Sequence, residues 1–286
     1  MQAVAAGYAR VLVAYDGSPS GEDALALAQR LRDPGSGALV LACVVPGRAW
    51  HLGGRSSPSE TEAEAMLAEA RAGLPAGIPA ALRAPSAASP ARGMTELAER
   101  EHVDLVAIGS AKGAADGRIG LARTAGRLLH GAPCAVAVAP PGLRETGLFH
   151  HVGVALDDSP EAAAALAAAF AIARRDGSAM TLYAALEKVV DRREEDTRRL
   201  RLELQERLDR AADAAPEGVN PGTVLLHGAA GPAIAAACDG AIDLLVVGSR
   251  GYGPLQRALL GSVSEELIAR ARHPVLVIPR QPAHPA

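Results

Sequence analysis

The chain reads as an α/β protein of two tandem domains, each a parallel sheet flanked by helices, and three observations lead there. Short apolar runs alternate with helical patterns along the whole length, the rhythm of parallel strands joined by right-handed crossovers. Several runs, such as Ala38 to Val45 and Leu244 to Val247, are apolar at every position, as strands covered on both faces are. The second half then begins again. His151 to Pro160 matches Arg10 to Pro19 at an offset of 141, and Asp243 to Ser249 matches Asp104 to Ser110 at an offset of 139. Two residues of drift over a domain mean a tandem duplication. The domains are placed at 8–140 and 149–280, with 140–149 as the linker.

In order, Arg10 to Tyr15 is a strand that ends at Asp16 and turns into a helix, with Ser18 as N-cap and Pro19 at the first helical position. The second strand is Ala38 to Val45. Ser57-Pro58-Ser59-Glu60 has capping-box spacing and opens a helix to about Ala72. A weaker strand, Ile78 to Leu82, precedes a helix at Met94 to Arg100. Asp104 to Ser110 is a strand running into a loop, Leu121 to His130 a helix, and Ala135 to Ala139 the last strand before Pro140-Pro141-Gly142. The second half repeats the plan. Met180 to Ala185 is its second strand, and a charged helix spans about Val189 to Ala215. In that helix Leu200, Leu204 and Leu208 face inward, and Glu194/Arg198, Glu195/Arg199, Glu203/Arg207 and Glu206/Arg210 have the favourable i, i+4 order on a solvated face. Thr223 to Leu226, Gly231 to Ala237 and Val275 to Ile278 supply the third strand, third helix and closing strand.

With 29 Lys and Arg against 32 Asp and Glu, and 2% aromatic residues, the chain lacks the basic surface and stacking platforms of a nucleic-acid binder. Cys43, Cys134 and Cys238 are far apart and form no C-x-x-C, which points to buried thiols in a reducing, cytoplasmic setting. No signal peptide is read at residues 1–9. The longest uncharged apolar run, Ala162 to Ala173, is too short to cross a bilayer, so no membrane partner is expected. His150 and His151 would point to opposite sides, and His227 and His273 are lone, so no protein metal site is read.

The stretch with chemical content is Gly248-Ser249-Arg250-Gly251-Tyr252-Gly253-Pro254, continuing to Gly261-Ser262-Val263-Ser264. It reads as strand, glycine-rich loop, helix, with a capping box from Ser262 to Glu265 placing Ser262 at the N-cap. Glycines let backbone amides wrap phosphates, and a helix N-terminus holds an anion. The run fails the dinucleotide fingerprint at Gln256. It also lacks a P-loop lysine, since the chain has only Lys112 and Lys188.

The spacing of Gly248, Gly251 and Gly261-Ser262 closely resembles the phosphate-binding signature of the ATP-binding universal stress protein family, and both halves resemble its domain over about residues 8–280. The resemblance implies a Rossmann-like, adenine-nucleotide alpha hydrolase-like fold, each domain a five-stranded sheet of order 3-2-1-4-5. It also implies a pseudo-dimer in which Ala135 to Ala139 lies near Val275 to Ile278, and a further homodimer is compatible with it. Its ligand is ATP, with any Mg²⁺ carried by the phosphates. Carried over, Ala155 and Leu156 line the base pocket, Asp157 meets adenine or ribose, and Ala184 meets the adenine edge through its backbone at the strand end. Gly248, Ser249, Arg250, Gly251, Gly253, Gly261, Ser262, Val263 and Ser264 hold the ribose and phosphates. Read from the residues alone, Asp157 is also a candidate helix-start capping residue, with the ligand role preferred.

The first half departs from the pattern. Its matching positions are Ala14, Asp16, Val44, Gly109, Gly113 and Thr124, but Lys112 stands where Gly251 does and Ala122-Arg123 where Gly261-Ser262 do. It is read as a structural or regulatory half, with Lys112, Arg118 or Arg123 as the cations that would meet a phosphate there. Three functions follow: an ATP-occupied stress-response regulator acting on an unidentified protein partner, a nucleotide-free interaction module, or an enzyme, either a slow ATPase or an adenylating ligase of related architecture. No nucleophile paired with a base can be picked out for the third.

Overall fold

The computed structural model describes residues 7–47, 58–111, 117–121, 123–144, 146–187, 194–249 and 261–279. The first half runs β1 (Arg10–Ala14), α1 (Pro19–Leu31), β2 (Ala38–Ala42), β3 (Val45–Pro46), α2 (Glu60–Ala72), β4 (Ala80–Arg83), β5 (Ser86–Ala87), α3 (Pro90–Arg100), β6 (Leu105–Gly109), α4 (Arg123–Gly131) and β7 (Ala135–Ala139). The second runs β8 (His151–Ala155), α5 (Pro160–Asp176), β9 (Ala179–Leu186), α6 (Glu194–Asp213), β10 (Gly222–His227), α7 (Ala230–Cys238), β11 (Leu244–Gly248), α8 (Ser262–Arg270) and β12 (Val275–Ile278).

Ten strands form one sheet in the order β10-β9-β8-β11-β12-β7-β6-β1-β2-β4, so each half has the order 3-2-1-4-5. Pairing is parallel within each half. The halves meet where β12 runs antiparallel to β7, with Val275 opposite Val138 and Val277 opposite Val136. The solid apolar runs have their cause here, since helices cover both faces and β6 and β7 are buried at every residue. Each face of the sheet carries one apolar core, and each core draws on both halves.

Local signals act as the residues dictate, with some shifts. Ser18 caps α1 and Ser159 caps α5, each followed by proline. The capping box of α2 is Ser59 with Glu62, two residues beyond the expected Ser57 and Glu60; Ser57 lies outside the described residues. Helix α3 starts at Pro90 rather than Met94, because Ser89-Pro90 is itself a cap and first-turn pair. The run Ala38 to Val45 breaks after Ala42, and β3 pairs with β5 in a separate two-stranded ladder. On α6, Leu204 and Leu208 are buried, while Arg199 meets Asp196 and Glu203, and Arg207 turns to Asp158 instead of Glu203. The thiols of Cys43, Cys134 and Cys238 are pushed up by burial to about 11, 12 and 12, which keeps them protonated.

Arginines fasten the halves together. Arg175 Nη2 donates to Arg30 O at 2.8 Å and its Nη1 to Arg32 O at 3.3 Å, while Asp176 holds the same guanidinium. Arg30 reaches the other way to Asp243. His273, buried just before β12, lines a cleft of about 280 Å³ with Arg30, Arg272 and Asp243. Burial holds its imidazole below the ordinary value, outweighing the carbonyl of Pro274 and the charges of Asp239 and Asp243. The unfolded chain therefore binds the proton first. Stability is fully present above a pH of about 6.5 and falls as pH drops from there toward the folded-state value. His273→Asn is expected to flatten that part of a denaturation-versus-pH curve; an unchanged slope would count against this origin.

Candidate functional site

In the second half the sheet order reverses between β8 and β11, and two helix starts converge on the end of β11 there. Gly248 closes β11. A Cβ placed on it would come 2.7 Å from the carbonyl carbon of Glu161 and 2.8 Å from the nitrogen of Ala162, in the first turn of α5. Its carbonyl accepts a hydrogen bond from Ser264 Oγ of α8 at 2.9 Å. The bare position at 248 therefore serves a helix crossing, a role the sequence reading did not give it. The same geometry recurs at Gly109, where a Cβ would strike the carbonyl oxygen of Ser20 in the first turn of α1.

The two helix starts differ. Helix α5 is closed by its own residues: Ser159 Oγ accepts from Ala162 N at 3.1 Å, and Asp157 Oδ1 accepts from Ser159 N at 2.9 Å and from the Ser159 hydroxyl. Asp157 thus fixes the turn, as Asp16 does by the same bonds to Ser18. Its neighbour Asp158 is offset by Arg207. Helix α8, in contrast, has Gly261 as N-cap in extended backbone, φ −75° and ψ 153°, with no side-chain cap hydrogen bond among the described residues. The expected cap at Ser262 is corrected by one residue. Ser262 is exposed at the first helical position, and Glu265 N bonds Gly261 O as an ordinary helical amide at 2.9 Å. A glycine cap leaves the first amides without an internal acceptor, so this end carries the positive end of the helix dipole toward an incoming anion.

Beside it, Ser249 is fully buried, with its amide bonded to Ile278 O at 2.9 Å. Its hydroxyl has no hydrogen-bond partner among the described residues, so a ligand oxygen would answer a group that is otherwise costly to bury. Ala155 and Leu156 are half-buried at the end of β8, and Leu156 N donates to Tyr183 O at 2.9 Å. Val263 is half-buried in the first turn of α8. Ala184 does not end its strand, because β9 continues to Leu186. It pairs with Leu225 within the ladder, two residues before the strand ends. Arg250, Gly251 and Gly253 lie outside the described residues.

The matching region of the first half is closed by the chain itself. Ser110, the counterpart of Ser249, accepts from Gly120 N at 2.7 Å through its hydroxyl, and Ala111 N donates to Gly120 O at 2.8 Å. Ser20 Oγ donates to Ser110 O at 2.6 Å. Ala14, Val44 and Thr124 are half-buried, and Val44 faces Gly93 of α3; Lys112 and Gly113 lie outside the described residues. Asp16 opens instead onto a cleft of about 570 Å³ between α1 and α2, which also holds Tyr15, Glu22 and Glu69. Burial and those three carboxylates push the Tyr15 hydroxyl well above its usual range. Arg144, the one basic residue among the described residues of that lining, is paired with Asp23. An acid-lined cleft repels a triphosphate. No group of three or more metal-ligating side chains occurs among the described residues, nor is any described helix long and apolar enough to cross a membrane.

The sequence reading missed the Ser249 and Ser110 contrast and the Ser264 tie. The repeat already aligned the two Gly-Ser strand ends, but what each hydroxyl meets is set by residues ten or more positions away.

Comparison with known proteins agrees with this fold. The family model described as universal stress protein family matches twice, over residues 7–140 and 148–279. A universal stress protein of Thermus aquaticus, described by its place in the QAH/OAS sulfhydrylase 3′ region, is 33% identical over 136 residues, covering 46% of this chain and 99% of that protein. The solved universal stress protein of Archaeoglobus fulgidus DSM 4304 superposes with a TM-score of 0.64 at 22% identity over 95% of this chain and 96% of its own. A Pseudomonas aeruginosa UCBPP-PA14 structure described under the same family name gives 0.70 at 16% over 96% and 95%. At those identities the two structures speak for the fold alone. Matched over both of its halves, the chain belongs to the universal stress protein family and carries two of its domains in tandem.

Proposed function

We propose that the chain is a stress-response regulator that binds one adenine nucleotide, ATP with its Mg²⁺, in the second half and acts through occupancy rather than turnover. The observation that carries this reading is the pairing of an uncapped α8 N-terminus at Gly261 with the buried, unanswered hydroxyl of Ser249. Amides of Ser262 and Val263 would take a phosphate along the helix axis. Ala155 and Leu156 would flank the base, and Asp157, already holding the β8–α5 turn, would stand at the ribose side. The glycine spacing from Gly248 to Gly261 and the family membership support ATP as the ligand. Any Mg²⁺ would be held by the phosphates. The first half, closed by Ser110 and Gly120, would take none.

Occupancy would change what this end of the second half presents to a protein partner, which then reads it. Mass spectrometry of denatured protein purified without added nucleotide is expected to release ATP. Hydrolysis far below ordinary enzyme rates, on the order of 10 per second, is expected in the same preparation. Turnover at such rates would replace this reading with an ATPase. A preparation that neither carries nor takes up nucleotide would leave an interaction module of the same fold.

A further inference from the structure

We infer that the first-half segment at residues 117–121 is a latch that reads the occupancy of the second-half site through α8, an inference that rests on the nucleotide reading above. Ile119 N donates to the carbonyl of Ala271 at 2.8 Å. Ala271 is the residue at which α8 ends, in extended backbone with φ −68° and ψ 141°. Its carbonyl therefore points out of the helix and is open to a partner from the other half. The Ile119 side chain is 2% exposed and shares one apolar core with Leu267, Ile268 and Ala271. The segment is tied to its own domain as firmly: Gly120 N donates to Ser110 Oγ, Ala111 N to Gly120 O, and Ser110 itself is buried at the end of β6.

The proposed phosphate site and this latch are thus opposite ends of one nine-residue helix, about 13 Å long at 1.5 Å per residue. Its N-terminal turn is held to the strand end by Ser264 Oγ on Gly248 O, and its C-terminus by the Ile119 bond. A helix is stiff along its axis, and shifts of about 1–2 Å at packed interfaces are the ordinary scale of such transitions. Drawing the α8 amides onto a phosphate moves Ala271, so the Ile119 bond and the two bonds to Gly120 shorten or yield with it. The closed first-half loop then has a function that an idle duplicate lacks. It carries the state of the second site to Gly117 and Arg118, which are exposed on the first half.

Coupling between two sites is reciprocal in free energy, so loosening the latch must change nucleotide affinity by the factor with which nucleotide loosens or tightens the latch. The test is hydrogen exchange of the full-length chain with and without saturating Mg·ATP, with binding followed by calorimetry on the same sample. Peptides covering residues 109–121 are expected to change their exchange rate threefold or more, and Ser110→Ala, which removes the acceptor of Gly120, to change Mg·ATP affinity by about the same factor. Binding with unchanged exchange across 109–121 overturns the latch and leaves the nucleotide site standing. Unchanged affinity in a folded Ser110→Ala protein overturns it equally. Failure of the wild-type chain to bind Mg·ATP at millimolar concentration removes both.

Discussion

Replacing Arg30 by alanine is expected to lower the unfolding free energy by about 3–5 kcal/mol, the range for breaking a buried ion pair by removing one partner. The side chain is 1% exposed and Nη2 sits 2.9 Å from Asp243 Oδ2 in the other half. The same guanidinium donates to Gly147 O and Leu148 O at 3.1 Å each and stacks 3.9 Å above the Phe149 ring. Alanine would leave two linker carbonyls and a carboxylate facing a void, while Asp243 would keep only the amides of His150 and His151. Lysine is expected to restore little, because a point charge cannot satisfy three acceptors and a ring face together. Chemical denaturation followed by far-UV circular dichroism measures the difference. A loss under about 1 kcal/mol, the scale of an exposed pair, would mean that the halves are held mainly by β7–β12 pairing and the shared apolar cores.

The second large effect splits by sign. Gly261→Asp is expected to weaken Mg·ATP binding about 100-fold, or roughly 2.7 kcal/mol, while raising the stability of the ligand-free chain by a few tenths of a kcal/mol. The extended backbone at 261 is one that any L-residue adopts, so no backbone strain accompanies the change. The new carboxylate would cap the α8 amides from within and repel the phosphates they are proposed to hold. Calorimetry and thermal unfolding of the same variant read both halves of the claim. A variant that loses stability and affinity together would point to misfolding instead, and one that binds normally would place the phosphates away from α8.

Much of this architecture is legible in the chain because its strands are covered on both faces, which leaves unbroken apolar runs such as Leu105 to Ile108 and Leu244 to Val247. Prolines after Ser18 and Ser159 punctuate the helices. The repeat gave the two-domain plan, and the family likeness gave the strand order and the join through the last strands, whose antiparallel direction the structure adds. What escaped has tertiary causes. Gly261 and Ser262 are both acceptable caps, so the start of α8 was misplaced by one residue. Gly248 is bare because a helix crosses it, which no local window reveals. Ala184 was placed at a strand end because the ladder of β9 with β10, which carries the strand on to Leu186, is invisible in the chain of either strand alone. Arg30 looks like an ordinary helix-end cation, and its partner lies 213 residues away.

The asymmetry between two related halves is the claim on which the account stands, and titration of Mg·ATP into nucleotide-stripped, full-length protein by calorimetry tests it most directly. The expected result is a single site per chain, weakened about 100-fold in Gly261→Asp. Two equivalent sites per chain, or no binding at millimolar Mg·ATP, would contradict it.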